Sequence, residues 1–123
     1  MPDATRARYE NAQTVIEIVG GFAIVRAEAI VRENLEDFMD KVEVPLIDGG
    51  ERHFVIDCRE TRYIDSRGMG LLVLLNKKLR GVDGTLYVVG LNDDLRMLFS
   101  LVKLDTVLTL FTEGGWRAEG GCL

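Results

Sequence analysis

Two short runs rich in β-branched and apolar residues, Phe54-Val55-Ile56-Asp57-Cys58 and Thr85 to Val89, flank a stretch from Arg67 to Gly81 that is too long and too leucine-rich for a strand. No other feature restricts the chain as much as this strand–helix–strand order. A crossover of this kind places its two strands parallel in one sheet and joins them right-handedly. The chain is therefore expected to form an α/β sheet layered with helices.

The flanking segments extend the same plan. Thr14 to Val19 and Phe22 to Ala27 surround Gly20-Gly21, a pair suited to the positive φ of a tight turn, and predict a β-hairpin. From Leu35 the period changes. Leu35, Phe38, Met39, Val42 and Leu46 recur at helical spacing, with Asn34 as candidate N-cap and with Glu36 and Asp37 where carboxylates suit the helix dipole. Pro45 and Asp48-Gly49-Gly50 stop this helix. Asn92 is expected to cap a third helix that starts with Asp93-Asp94, buries Leu95, Leu98, Phe99 and Val102, and ends at Lys103; a last strand follows over Val107 to Phe111. The expected organisation is a polar leader over residues 1–13, one domain over 14–112 and a tail over 113–123 anchored by Trp116.

Composition bounds the function. At 123 residues with 47% hydrophobic residues, one domain can bury a real core. A net charge of −5 gives no general attraction to phosphate backbones, so nucleic acid is not an expected partner. With no signal-peptide pattern at the start and no run of about 18 apolar residues, membrane insertion is not expected and a cytoplasmic location is. Cys58 and Cys122 form neither a disulfide framework nor a metal-ligand spacing, and no cofactor or metal is implied.

The informative segment is Tyr63-Ile64-Asp65-Ser66-Arg67-Gly68-Met69-Gly70-Leu71-Leu72. Ser66 stands at a helix start, where capping alone would account for a serine. Gly68 and Gly70 each cost about 1 kcal/mol relative to alanine inside a helix, so something must offset them, such as the close approach of another backbone or a docking surface. On a helical wheel Leu71, Leu72, Leu75, Leu79 and Val82 form the core face, and Met69, Val73, Asn76, Lys77 and Arg80 the opposite one, to which Ser66 projects. The expected docking strip comprises Asp65, Arg67, Gly68, Met69, Gly70, Val73, Asn76 and Lys77. The competing reading is that Met69 and Val73 are covered by the tail or exposed singly, and that Lys77-Lys78 and Arg80 are a solvated face.

Catalysis is not expected. The esterase elbow wants glycine two positions before its serine, where this chain has Ile64. His53 has no acid spaced for a triad, and Asp57 reads as a solvated or hydrogen-bonded strand residue.

Ile64-Asp65-Ser66-Arg67-Gly68-Met69-Gly70-Leu71, following a strand and opening a helix, resembles the Asp-Ser-x-Gly-x-Gly signature of STAS domains, and the likeness extends from about Phe22 to Phe111. The resemblance implies a single STAS-like domain: a mixed sheet of about five strands with three to four helices packed mainly on one side. In the anti-sigma factor antagonists of that family, the serine after the aspartate accepts phosphate. By resemblance, Ser66 is the phosphorylation site and Asp65 its acidic neighbour. The implied partner is an anti-sigma factor that is also a serine kinase, bound by the unmodified protein and released on phosphorylation, with a phosphatase to reset the cycle and sigma-dependent transcription as the output. Two departures bear on the kinase contact. Ala29-Ile30-Val31-Arg32-Glu33 stands where the family often carries Gly-x-Leu-Asp, placing Val31 at the aspartate position, and Arg67 replaces the small residue that frequently follows the acceptor. The alternative function is an unphosphorylated STAS scaffold, or a regulatory subunit of a signalling assembly or lipid-transport ATPase, docking through the same helix.

Overall fold

The computed structural model describes residues 14–42, 46–47 and 49–111. The expected leader, the tail with Trp116 and Cys122, and the helix-stopping Pro45 and Asp48 lie outside the described residues. The elements run β1 (Thr14–Val19), β2 (Phe22–Ala27), β3 (Ala29–Ile30), a 3-10 turn (Arg32–Asn34), α1 (Leu35–Val42), β4 (His53–Asp57), β5 (Tyr63–Ile64), α2 (Ser66–Arg80), β6 (Thr85–Val89), α3 (Asp93–Leu101), a second 3-10 turn (Leu104–Thr106) and β7 (Thr109–Phe111).

Five strands form one sheet in the order β1-β2-β4-β6-β7. β1 and β2 are the expected antiparallel hairpin, closed by Gly20 and Gly21 at φ 56° and 86°, a two-residue turn that side-chain-bearing residues enter only with strain. All other pairings in this sheet are parallel, with Phe54 opposite both Ala23 and Leu86. A separate parallel pair, β3 with β5, sets Ala29 beside Tyr63 and Ile30 beside Ile64. These two-residue strands are too short to leave a periodic signal, and sequence reasoning does not find them.

Strand alternation divides the sheet. Ala23, Val25, Phe54, Ile56, Leu86 and Val88 point to one face and share a core with Phe38 and Val42 of α1, Leu71, Leu72, Leu75 and Leu79 of α2, and Leu95 and Phe99 of α3. Ile24, Val55 and Val89 point to the other face, bordered by Val19, Phe22 and Tyr87. The helices thus pack on one side of the sheet, as successive right-handed crossovers in one direction require.

Three expectations need correction. Asn34 does not cap α1: its side chain is buried, accepting from Val31 N at 2.9 Å and donating to Ala29 O at 2.6 Å, so the 3-10 turn feeds directly into the helix. Val102 is not in the core, because α3 ends at Leu101 and Lys103 turns left-handed at φ 62°, leaving Val102 outside. Val82 follows the end of α2 and is exposed too. Asn92 does cap α3, accepting from Leu95 N at 2.8 Å.

Candidate functional site

The loop that leads into α2 is fixed from both sides. Thr61 Oγ1 donates to Ala27 O at 2.6 Å and Arg62 N to Glu28 O at 2.8 Å, which aligns β5 against β3. Asp65 follows in extended backbone and caps α2, and its two carboxylate oxygens are divided: Oδ1 accepts from Gly68 N at 2.8 Å, and Oδ2 from Arg32 N at 2.9 Å. One side chain therefore satisfies a first-turn donor of α2 and ties that helix to the turn after β3.

This arrangement corrects the role expected of Ser66. It is the first helical residue rather than the N-cap, and it is exposed. With capping supplied by Asp65, the Ser66 hydroxyl is not needed to hold the helix. It stands at the positive end of the dipole, beside N–H groups without intrahelical acceptors, where an anion is tolerated.

The two glycines have different causes. A Cβ at Gly68 would overlap the carbonyl oxygen of Ile30 and approach its carbon at 2.8 Å, so Gly68 is the residue that lets α2 pack on β3. It is buried, so its place in the sequence has a packing reason inside the domain. A Cβ at Gly70 would meet nothing within 4 Å, and Gly70 is exposed. Among the described residues nothing requires that glycine.

Asn76 is corrected likewise. Expected on the outer face, it is 8% exposed and donates from Nδ2 to Val107 O at 3.2 Å, joining α2 to the segment after the second 3-10 turn. Met69 and Val73 are half-buried along the same border, and Met69 packs against the core. The outward arc of α2 instead carries Ser66, Arg67, Gly70, Leu74 and Lys77. Leu74, 45% exposed, was missed by sequence reasoning. Its signal was present: four residues from Gly70 and three from Lys77, it falls on the arc opposite the core leucines. Val31, at the position where an acid was the family expectation, is fully buried, so the side chain that reaches the surface beside Asp65 is that of Arg32.

Two other groupings of polar side chains lie away from α2. Asp57, at the end of β4 on the helix-free face, is buried and ion-paired with Arg59 Nη2 at 2.6 Å and with Arg26 Nε at 3.1 Å. Burial alone would raise its carboxyl, but the hydrogen bonds and charge of Arg59, assisted by Arg26, outweigh that and hold it below its ordinary value. The pairing occupies both carboxylate oxygens, as a structural anchor would. An open cleft of about 650 Å³ adjoins it, lined by Arg26, Glu28, Arg59, Thr61, Arg62 and Asn92. His53 Nδ1 lies 2.9 Å from Thr85 Oγ1, with its ring 6.0 Å from that of Phe22, an arrangement without an acid partner for base chemistry. Among the described residues no helix is long and apolar enough to cross a membrane.

The family model described as the STAS domain matches residues 6–113. Among curated relatives, an anti-sigma-B factor antagonist from Staphylococcus aureus is 30% identical over 70 residues, which span 57% of this chain and 65% of the relative. The match thus covers just under two thirds of that relative's length. Among solved structures, an anti-sigma factor antagonist from Mycobacterium paratuberculosis superposes with a TM-score of 0.73 at 21% identity, covering 83% of this chain and 86% of the other. The Bacillus cell fate determinant SpoIIAA in its phosphorylated form gives 0.67 at 18% identity, covering 86% and 97%. At these identities the structural likenesses show the fold.

Proposed function

The chain belongs to the STAS domain family, and on that premise we propose that it is an anti-sigma factor antagonist whose switch is phosphorylation of Ser66. The observation that carries this reading is the division of labour at the start of α2. Asp65 caps α2 with Oδ1 and ties the helix to the turn after β3 with Oδ2, so the neighbouring Ser66 hydroxyl, which is exposed, is not needed as the cap. Unmodified, the outward arc of α2 docks on an anti-sigma factor that is also a serine kinase, and sigma is freed. Phosphate adds about −1.5 to −2 charge and bulk at the edge of the docking face. The helix tolerates the anion at its N-terminus. The contact does not, and the partner leaves without any unfolding of the antagonist. ATP belongs to the kinase, and a phosphatase restores the binding form. The relatives described above, one of them recorded in a phosphorylated form, support this reading.

Intact-mass measurement and phosphopeptide mapping of the protein purified from its own cells test the switch. A single phosphate on Ser66 that disappears in Ser66→Ala is the expected result. No phosphate under any growth condition, with binding indifferent to Ser66→Ala, would make the chain an unmodified docking module.

A further inference from the structure

α2 is charged unlike the rest of the chain. It holds four basic residues, Arg67, Lys77, Lys78 and Arg80, and no acid, in a chain of net charge −5, so everything outside it sums to −9. The helix dipole accounts for the three cations of the last turn. It does not account for Arg67, which sits in the first turn, where a positive charge opposes the dipole. Arg32 is brought to the same end, its backbone N–H 2.9 Å from Asp65 Oδ2. Both arginines are exposed. Asp65, the acid that precedes α2, does not pair with either arginine side chain: both its oxygens accept from backbone N–H groups. Among the described residues no ion pair engages Arg32, Arg67, Lys77 or Arg80, whereas Arg26, Lys41 and Arg59 are all paired.

Resting on the reading of α2 as the docking face, we infer that this face recognises an acidic surface on its protein partner, with Arg32 and Arg67 at one pole and Lys77 at the other. Ten residues of helix separate Arg67 from Lys77, about 15 Å, which sets the spacing of the partner's acidic groups. Between the poles the arc presents the bare backbone of Gly70 and the hydrocarbon of Leu74. That sequence of cation, notch, apolar contact and cation fits a folded protein surface. A phosphate backbone offers charge along its whole length, and the overall negative charge of the chain repels it. Phosphate on Ser66 then acts by a specific means: it offers Arg67 and Arg32 an anion within the molecule and cancels the cationic pole that the partner reads.

The test uses the full chain and each kinase-type anti-sigma factor of its source genome, purified, in titration calorimetry from about 50 to 500 mM salt. The same chain, isotope-labelled, is titrated by NMR with a decaglutamate peptide as a partner-independent probe. Support consists of an affinity that falls about tenfold or more across the salt series, a similar loss in Arg67→Glu and in Lys77→Glu, and little change in Arg96→Glu, which makes the same charge change on α3. All three variants alter exposed residues, and circular dichroism checks that they fold. A partner that binds independently of salt and of Arg67 and Lys77 overturns the inference and leaves the proposed function standing. If no anti-sigma factor binds but the peptide shifts amides of Arg67, Gly70, Leu74 and Lys77, the acidic-surface inference stands and the antagonist reading fails. Peptide shifts spread evenly over the molecule, equal losses in Arg96→Glu, or retention on anionic vesicles or DNA in place of protein binding each overturn it.

Discussion

Gly68 and Gly70 lie one residue apart in the same helix, yet opposite results are expected when each gains a methyl group. At Gly68 the added carbon would overlap Ile30 O, a backbone atom held by the β3–β5 pairing, so the strain cannot be relieved by turning a side chain. Gly68→Ala is expected to destabilise the fold by roughly 2–3 kcal/mol, read as a lower denaturation midpoint. Gly70→Ala meets open space and gains helix propensity and lost unfolded-state freedom, so the fold should be stabilised by about 0.5–1 kcal/mol. If Gly70 serves docking, that same variant binds its partner more weakly despite being more stable. A Gly70→Ala protein that binds as well as the parent would remove Gly70 from the interface. Cys58 gives a third residue-scale expectation. It is buried and its thiol is pushed up to about 12, so a maleimide or disulfide reagent at pH 8 should modify it only after denaturant unfolds the domain. Rapid labelling of Cys58 in the native protein would contradict its placement.

At the scale of the element, what the sequence reveals depends on whether a segment is long enough to repeat. The hairpin was legible because Gly20-Gly21 separates two β-branched runs, and α3 because Asn92 precedes two acids and an apolar period. α2 was legible as a helix, but its orientation was read imperfectly: Asn76 looked like an outward polar residue, whereas the fold finds it an acceptor in Val107 O. A polar residue near the core boundary faces inward when a backbone carbonyl is available, and a sequence does not show where that carbonyl will be. β3 and β5 were invisible, being two residues each. They nevertheless determine the site, because their pairing places Arg32 N within reach of Asp65 and Ile30 O against Gly68. The signature of Asp65, Ser66 and the glycines was therefore readable as a motif, while the reason for each member needed the fold. Asp65→Ala tests this connection. It removes the cap and leaves the N–H groups of Gly68 and Arg32 without their acceptor, so a loss of about 2 kcal/mol is expected. Hydrogen exchange should accelerate in the first turn of α2 and in residues 29–34 together, since one carboxylate serves both. Faster exchange in α2 alone would mean that the tie to β3 contributes nothing.

Over the whole molecule, the two faces of the sheet are held by different forces, and pH separates them. The core on the helix-bearing face is built mainly of apolar side chains, whose packing does not itself respond to acid. The opposite face ends in a charged chain that crosses three strands: Glu17 of β1 to Arg26 of β2 at 3.1 Å, Arg26 to Asp57 of β4, and Asp57 to Arg59 beyond it. Asp57 is the buried centre of that chain, and its carboxyl is held below the ordinary aspartate value of 3.8. Because the folded group releases its proton more readily than the unfolded one, its stabilisation is fully present above the unfolded pKa and disappears as pH falls through the lower, folded one. Asp57→Asn keeps the shape but removes the charge, leaving two half-exposed arginines that water partly screens. A loss of about 1–2 kcal/mol at pH 7 is therefore expected, below the penalty for breaking a fully buried pair. The decisive quantity is the difference between parent and variant in urea midpoint, measured from pH 7 downwards. It should be constant above about pH 5 and shrink below 3.8, as the parent loses what the variant never had. A gap that stays the same down to pH 2.5 would mean that Asp57 stabilises the sheet through its hydrogen bonds and packing, with its charge making no net contribution.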